Sequence, residues 1–178
     1  RGEGVEVCTG PLGQGISNAV GLAIAERHLS HLFSSQVFNH YTYVICGDGC
    51  LQEGISSKAS SLAGHLGLGK LIVLYDDNSI TTDGPTSLSF TENVGKRYEA
   101  YGWHVVSVED VANGLDDLRA AIAQSQAVED KLSLIKIKTV IANGSQREGS
   151  EKTHGAPLGS EDIAFVKKRF GLDPNKTF

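Results

Sequence analysis

The chain has 178 residues, 40% of them hydrophobic and 21% charged, which suits one soluble globular domain with a proper core. Its net charge of −5, with Lys and Arg scattered, excludes a general nucleic-acid or acidic-membrane surface. No apolar run approaches the roughly 18 residues of a membrane span. The opening Arg1-Gly2-Glu3-Gly4 has no basic-then-apolar signal pattern, and the chain contains no Met, so a start inside a longer protein is expected.

Residues 10–15, Gly-Pro-Leu-Gly-Gln-Gly, form a glycine-rich loop, and Ile16, Val20, Ala23, Ile24, Leu29, Leu32 and Phe33 follow at helical spacing. Segment 41–46 is β-branched and aromatic and ends abruptly at Gly47-Asp48-Gly49, a strand running into a turn. Ile55, Ala59, Leu62, Ala63 and Leu66 predict a helix, and Leu71–Tyr75 predicts a strand covered on both faces. Segment 92–101 reads as helix, 104–108 as strand and 114–128 as an Ala-rich helix. Residues 132–141 read as a strand with one more polar face, followed by a loop from Ala142 to Gly159. Ser160 is expected to cap a last helix, with Glu161 and Asp162 in its first turn, where the dipole favours carboxylates. This alternation predicts a three-layer α/β/α fold around a mostly parallel sheet of about five strands, with right-handed crossovers. No repeat, low-complexity tract or interdomain linker interrupts it.

Two polar clusters fall at strand ends, where open α/β sheets bind ligands. Gly47-Asp48-Gly49 ends one strand and Asp76-Asp77-Asn78 ends the next, and the intervening helix is long enough to bring both to one sheet edge. Asp48 and Asn78 then offer oxygen ligands to a hard cation, Mg²⁺ or Ca²⁺, of which Mg²⁺ commonly shares its shell with phosphates. Glycines beside Asp48 allow close backbone approach, and Gly49 opens a helix whose amides favour phosphate oxygens. The expected ligand is a metal-bound diphosphate. Cys8, Cys46 and Cys50 are odd in number and lack zinc-type clustering; each reads as a small buried apolar residue in a reduced compartment. No Gly-x-Gly-x-x-Gly follows a strand, which disfavours a nicotinamide-binding domain.

Gly47-Asp48-Gly49 followed 30 residues after Asp48 by Asn78 matches the thiamine diphosphate fingerprint. The strings Gly47–Gly54, Ser60–Leu66 and Tyr75–Asn78 resemble transketolases, as do Thr9–Asn18, Lys96–Trp103 and His154–Pro157. The resemblance runs from Gly4 to the C-terminus and is nearest the fungal, plant and bacterial branch. It implies a partial N-terminal diphosphate-binding domain over 1–178, without the pyrimidine-binding and C-terminal domains. The implied activity is transfer of a two-carbon ketol unit between sugar phosphates in the pentose phosphate pathway, by a homodimer using thiamine diphosphate and Mg²⁺ or Ca²⁺. The implied location is the cytoplasm, or a plastid or other organelle, with neither nucleic acid nor membrane as partner.

The resemblance also assigns residues. Asp48, the Asn78 side chain and the Ile80 carbonyl are expected to hold the metal, and the Gly49 amide to meet the diphosphate. Gly10, Pro11, Leu12 and Ile141 are expected along the thiamine rings, and His154 to reach both the diphosphate and the donor sugar near the reacting carbon. Glu53 and Lys58 are expected at the dimer contact. Lys58 stands where the family usually has Glu, and an ion pair with Glu53 or a partner carboxylate is expected. Thr82 and Pro85 alter a stretch that is usually Ile-Asp-Gly-Asp or similar, and the loop Ala142–Arg147 lacks the usual Gly-Tyr-Gly or Gly-Phe-Gly start. Two other readings stay open: dihydroxyacetone synthase, which shares these motifs, and a non-catalytic homologue or fragment that only binds partners.

Overall fold

Four strands carry the main sheet: β1 (Thr42–Gly47), β2 (Leu71–Asp77), β5 (His104–Val108) and β6 (Ser133–Lys138). They pair in the order β1-β2-β6-β5 and every pairing is parallel. The structure is a computed structural model and describes residues 3–112 and 114–177. It divides into two compact units, Arg1–Asp77 with Glu92–Lys138, and Asn78–Thr91 with Thr139–Phe178. The main sheet has four strands among the described residues rather than about five. No helix among the described residues is long and apolar enough to cross a membrane.

In the first unit, the helices are α1 (Gln14–Phe33), α2 (Asp48–Gln52), α3 (Gly54–Leu66), α4 (Val94–Ala100) and α5 (Asp116–Gln126). Successive residues of a strand face opposite ways. Ile72, Ile135, Ile137 and Val108 therefore share one face, where Ala121, Leu118 and Ile122 of α5 cover them. On the other face, Gly95 of α4 lies against Val105 and Lys136. Helix α4 in turn packs on α3: Tyr98 and Ser60 share a 3.1 Å hydroxyl contact, and the Trp103 indole donates to the Ser60 carbonyl at 3.0 Å. Burial of residues 71–73 on both faces follows from helices on both sides, as the continuous apolar run required. The more polar face of β6 also has a cause: Lys136 and Lys138 lie 3.9 and 3.4 Å from Asp77 on the neighbouring strand.

Only Cys46 of the three cysteines is buried; Cys8 is exposed and Cys50 intermediate, so the expectation of burial at each fails for two of them. Burial, followed by the neighbouring Cys50 and Asp48, pushes the Cys46 thiol well above its ordinary range. It is an inert packing group.

The second unit contains an antiparallel pair not anticipated from the sequence, β3 (Ile80–Thr81) with β4 (Gly84–Pro85), and α6 (Ser160–Arg169). Ser160 does not cap α6. It is the first helical residue, the cap position is Gly159 at φ 86°, and no side chain caps the helix. A left-handed backbone at that position suits glycine and would strain serine. Asp162 lies in the first turn as expected, yet it is buried, accepting bonds from Ser145 Oγ at 2.6 Å and the Gln146 amide at 3.0 Å. It ties the 142–149 loop to the helix.

Two consequences are measurable. A Cβ at Gly64 would fall far inside contact distance of the Tyr101 carbonyl oxygen, a backbone atom that cannot swing aside. Gly64→Ala is expected to destabilise by about 3 kcal/mol, the upper end of overpacking costs, as a lowered thermal midpoint. Bonds from Ser145 and then Gln146 hold the Asp162 carboxyl below its ordinary range. A depressed folded pKa gives stability that is present above the unfolded value, about 3.9, and lost as pH falls through the folded one. Asp162→Asn should therefore melt earlier than wild type at pH 7, and the gap should close in the acid range below pH 4.

Candidate functional site

In the first unit the site grows from the end of β1. The parallel register sets Gly47 beside Asp76 and Cys46 beside Tyr75, so the two sequence clusters share one end of the sheet as far as Asp77. Asp48, the first residue of α2, is 3% exposed. The Tyr75 phenol donates to its Oδ1 at 2.5 Å. Burial, and then that hydrogen bond, push the Tyr75 hydroxyl far above its ordinary range, so it remains a donor. Tyr75 belongs to the Tyr-Asp-Asp-Asn string, but its role was not drawn from the sequence. The signal was there: a tyrosine inside a run otherwise apolar, on the strand adjoining Asp48, whose hydroxyl needs a buried partner.

The glycine loop is seated on the same end. Gly13 has φ 79°, and a Cβ there would lie 2.7 Å from Ile55 Cγ2 and 2.9 Å from Ser56 Oγ, so the loop rests directly on α3. Leu12, 51% exposed, lies against Gly49, where a Cβ would stand 3.3 Å from Leu12 Cδ1. Gly10, Leu12 and Gly49 are thus gathered in this unit, with Pro11 between them. Gly47 differs from Gly13 and Gly49. Its backbone, φ −103° and ψ −177°, is one any residue adopts, and a Cβ there would meet nothing within 4 Å. Neither conformation nor packing requires a glycine here, and the position leaves room for close approach.

Glu53 and Lys58 are both exposed, and they do not pair with each other. Glu53 is the N-cap of α3 and Lys58 lies five residues on. That spacing places them far apart around the helix, whereas pairs form at three or four. The expectation of an ion pair between them fails for that reason.

In the second unit Asn78 Oδ1 accepts the Ile80 amide at 2.9 Å, a side-chain turn centred on Ser79, whose φ is 62°. Ile80 pairs with Pro85, and the Thr86 amide donates to Ser79 O at 3.0 Å. That alternation makes Ile80–Pro85 a pair without mutual hydrogen bonds, so the Ile80 carbonyl points away from the ladder. Asn78 and Ile80 carry two neutral oxygens in one turn, the donor type hard cations take. Among the described residues no group of three or more His, Cys, Asp or Glu could hold a metal ion by itself. His154 follows a single 3₁₀ turn, Glu151–Thr153, and is exposed; Thr82 Oγ1 lies 3.4 Å from its Nδ1. Ile141 is half-buried, and its carbonyl accepts the Gly149 amide at 2.9 Å.

The family described as "Transketolase, thiamine diphosphate binding domain" matches residues 1–178. Transketolase 1 of Saccharomyces cerevisiae is 57% identical over 178 residues, covering 98% of this chain and 26% of that protein. The solved transketolase of Leishmania mexicana superposes with a TM-score of 0.94 at 55% identity, again over 98% of this chain and 26% of that one. A transketolase of Pichia stipitis solved with sedoheptulose 7-phosphate gives 0.93 at 47%, with the same coverage. The chain thus spans about a quarter of the length of the relatives it matches. It belongs to the family of transketolase thiamine diphosphate binding domains.

Proposed function

We propose that the protein to which this chain belongs is a transketolase, moving a two-carbon ketol unit from a ketose phosphate to an aldose phosphate, and that this chain supplies the metal and diphosphate half-site. Thiamine diphosphate, when bound, supplies the carbanion chemistry, and the protein's part is to hold, orient and shield it. Asp48, the Asn78 side chain and the Ile80 carbonyl ligate the divalent cation, Mg²⁺ or Ca²⁺. The Gly49 amide meets the diphosphate, and Gly10, Pro11, Leu12 and Ile141 supply the wall along the rings. His154 offers an exposed imidazole to phosphate and sugar oxygens. The observation that carries the reading is Gly47, a glycine that the fold does not need beside a buried aspartate that a phenol holds in place. Sugar phosphates as substrates are supported by the Pichia stipitis complex.

Asp48 is the single charged ligand in this set. Asp48→Ala should lower affinity for thiamine diphosphate with Mg²⁺ on the order of 100-fold by calorimetry, and Asn78→Ala on the order of 10-fold, since a charged partner contributes more than a neutral one. Gly47→Ala should leave the melting temperature almost unchanged, because its methyl meets no protein atom, yet weaken the cofactor. Equal affinity in wild type and the Asp48 variant would remove the metal assignment.

The full-length protein should convert xylulose 5-phosphate and ribose 5-phosphate when given cofactor and Mg²⁺, and should sediment as a dimer. The 178 residues alone should convert neither, because their apolar side chains around Leu12 need a further domain to close over the rings. Turnover by these residues at the full-length rate would defeat the split-site reading, and inactive full-length protein would favour a binding role.

A further inference from the structure

Thr82 stands at the tip of the β3–β4 hairpin, in a two-residue turn between Thr81 and Gly84. The base of the turn is fastened: Thr81 Oγ1 donates to the Gly84 carbonyl at 2.9 Å and the Thr86 amide to the Ser79 carbonyl at 3.0 Å. His154 is fastened as well. Its amide donates to the Glu151 carbonyl at 2.9 Å, and Thr153 Oγ1 donates to the Ser150 carbonyl at 2.7 Å. Two anchored stretches of backbone thus bring Thr82 Oγ1 to 3.4 Å from His154 Nδ1. Among the described residues no other hydrogen bond engages either side chain.

We propose that Thr82 is a positioning residue for His154, its hydroxyl holding the imidazole through Nδ1 so that Nε2 is the nitrogen presented to ligand. This rests on the reading of His154 as facing phosphate or sugar oxygens. The partner at one ring nitrogen decides what the other can do. In the neutral ring the threonine O–H donates to Nδ1, which places the ring hydrogen on Nε2, a donor suited to a phosphate or hydroxyl oxygen. In the protonated ring Nδ1–H donates to Oγ1 instead, and the hydroxyl turns its own hydrogen outward. One side chain therefore keeps the ring oriented in both charge states, which a purely apolar residue at 82 does not do.

The test uses full-length protein with ¹⁵N-labelled histidine, without cofactor, so that it reads the ring whether or not the protein turns over. The His154 signals are assigned by their loss in His154→Gln. Wild type should show the Nε2–H form of the neutral ring. Thr82→Val, which keeps the shape and removes the hydroxyl, should move the Nδ1 shift, and Thr82→Ser should restore it. In the same proteins kcat should fall about fivefold in Thr82→Val, the size of one neutral hydrogen bond, with KM little changed, and Thr82→Ser should recover it. Identical ¹⁵N shifts in wild type and Thr82→Val, or a wild-type ring carrying its hydrogen on Nδ1, would overturn the proposal. A wild type that fails to turn over sugar phosphates would sink the transketolase reading while leaving the spectra to decide this one.

Discussion

An aspartate almost wholly withdrawn from water at the end of β1 needs a donor, since an unsatisfied buried carboxylate is costly, and Tyr75 is that donor. The bond is a product of strand register. Ile72 and Leu74 must face α5 to bury, which turns Tyr75 to the opposite face, beside Cys46 and within reach of Asp48. A slip of one residue would carry Tyr75 to the α5 face and leave Asp48 without it. The apolar pattern that builds the core thus also aims the carboxylate. The glycine loop depends on the same frame, because Gly13 is pressed against the start of α3, which follows α2 almost directly.

That dependence explains what was legible in the sequence. Leu71–Tyr75 and the glycine-flanked Asp48 are short-range signals, and α1 and α3 follow periodicities that tertiary contacts reinforce. The pairing of β3 with β4 was not legible, because two residues per strand carry no period, and Pro85 argues against a strand unless its missing N–H is harmless. Here it is harmless, since that pair exchanges no hydrogen bonds. The cap of α6 was misread because Ser160 is a favoured capping type, whereas the chain reaches that helix through a left-handed Gly159. The spacing of Glu53 and Lys58 around α3 was available from arithmetic alone, and it ruled out the pairing that charge suggested.

Positive φ values at Ser79 and Ala142 are uncommon outside glycine. Ser79 lies inside the turn through which Asn78 reaches the Ile80 amide, and its carbonyl is held by Thr86. Strain of this kind persists where the surroundings over-determine it, and it clusters at sites that hold ligands. Ala142 opens the loop whose sequence departs from the family's usual start.

The residues by which that loop departs from the family's usual pattern have contacts of their own. Several residues of this loop are engaged within the fold. Ser145 and Gln146 bind the buried Asp162, and Arg147 donates to the carbonyls of Pro157 and Leu158 while its Nε lies 3.7 Å from Asp162. Gly144, at φ 87°, lies against the Phe170 ring, where any side chain would collide. The result is a closed set of bonds that fixes both ends of the segment carrying His154. Thr82 fits the same logic, since its hydroxyl meets the His154 ring. Residues that break a local pattern yet are satisfied together leave the segment carrying His154 held at both ends.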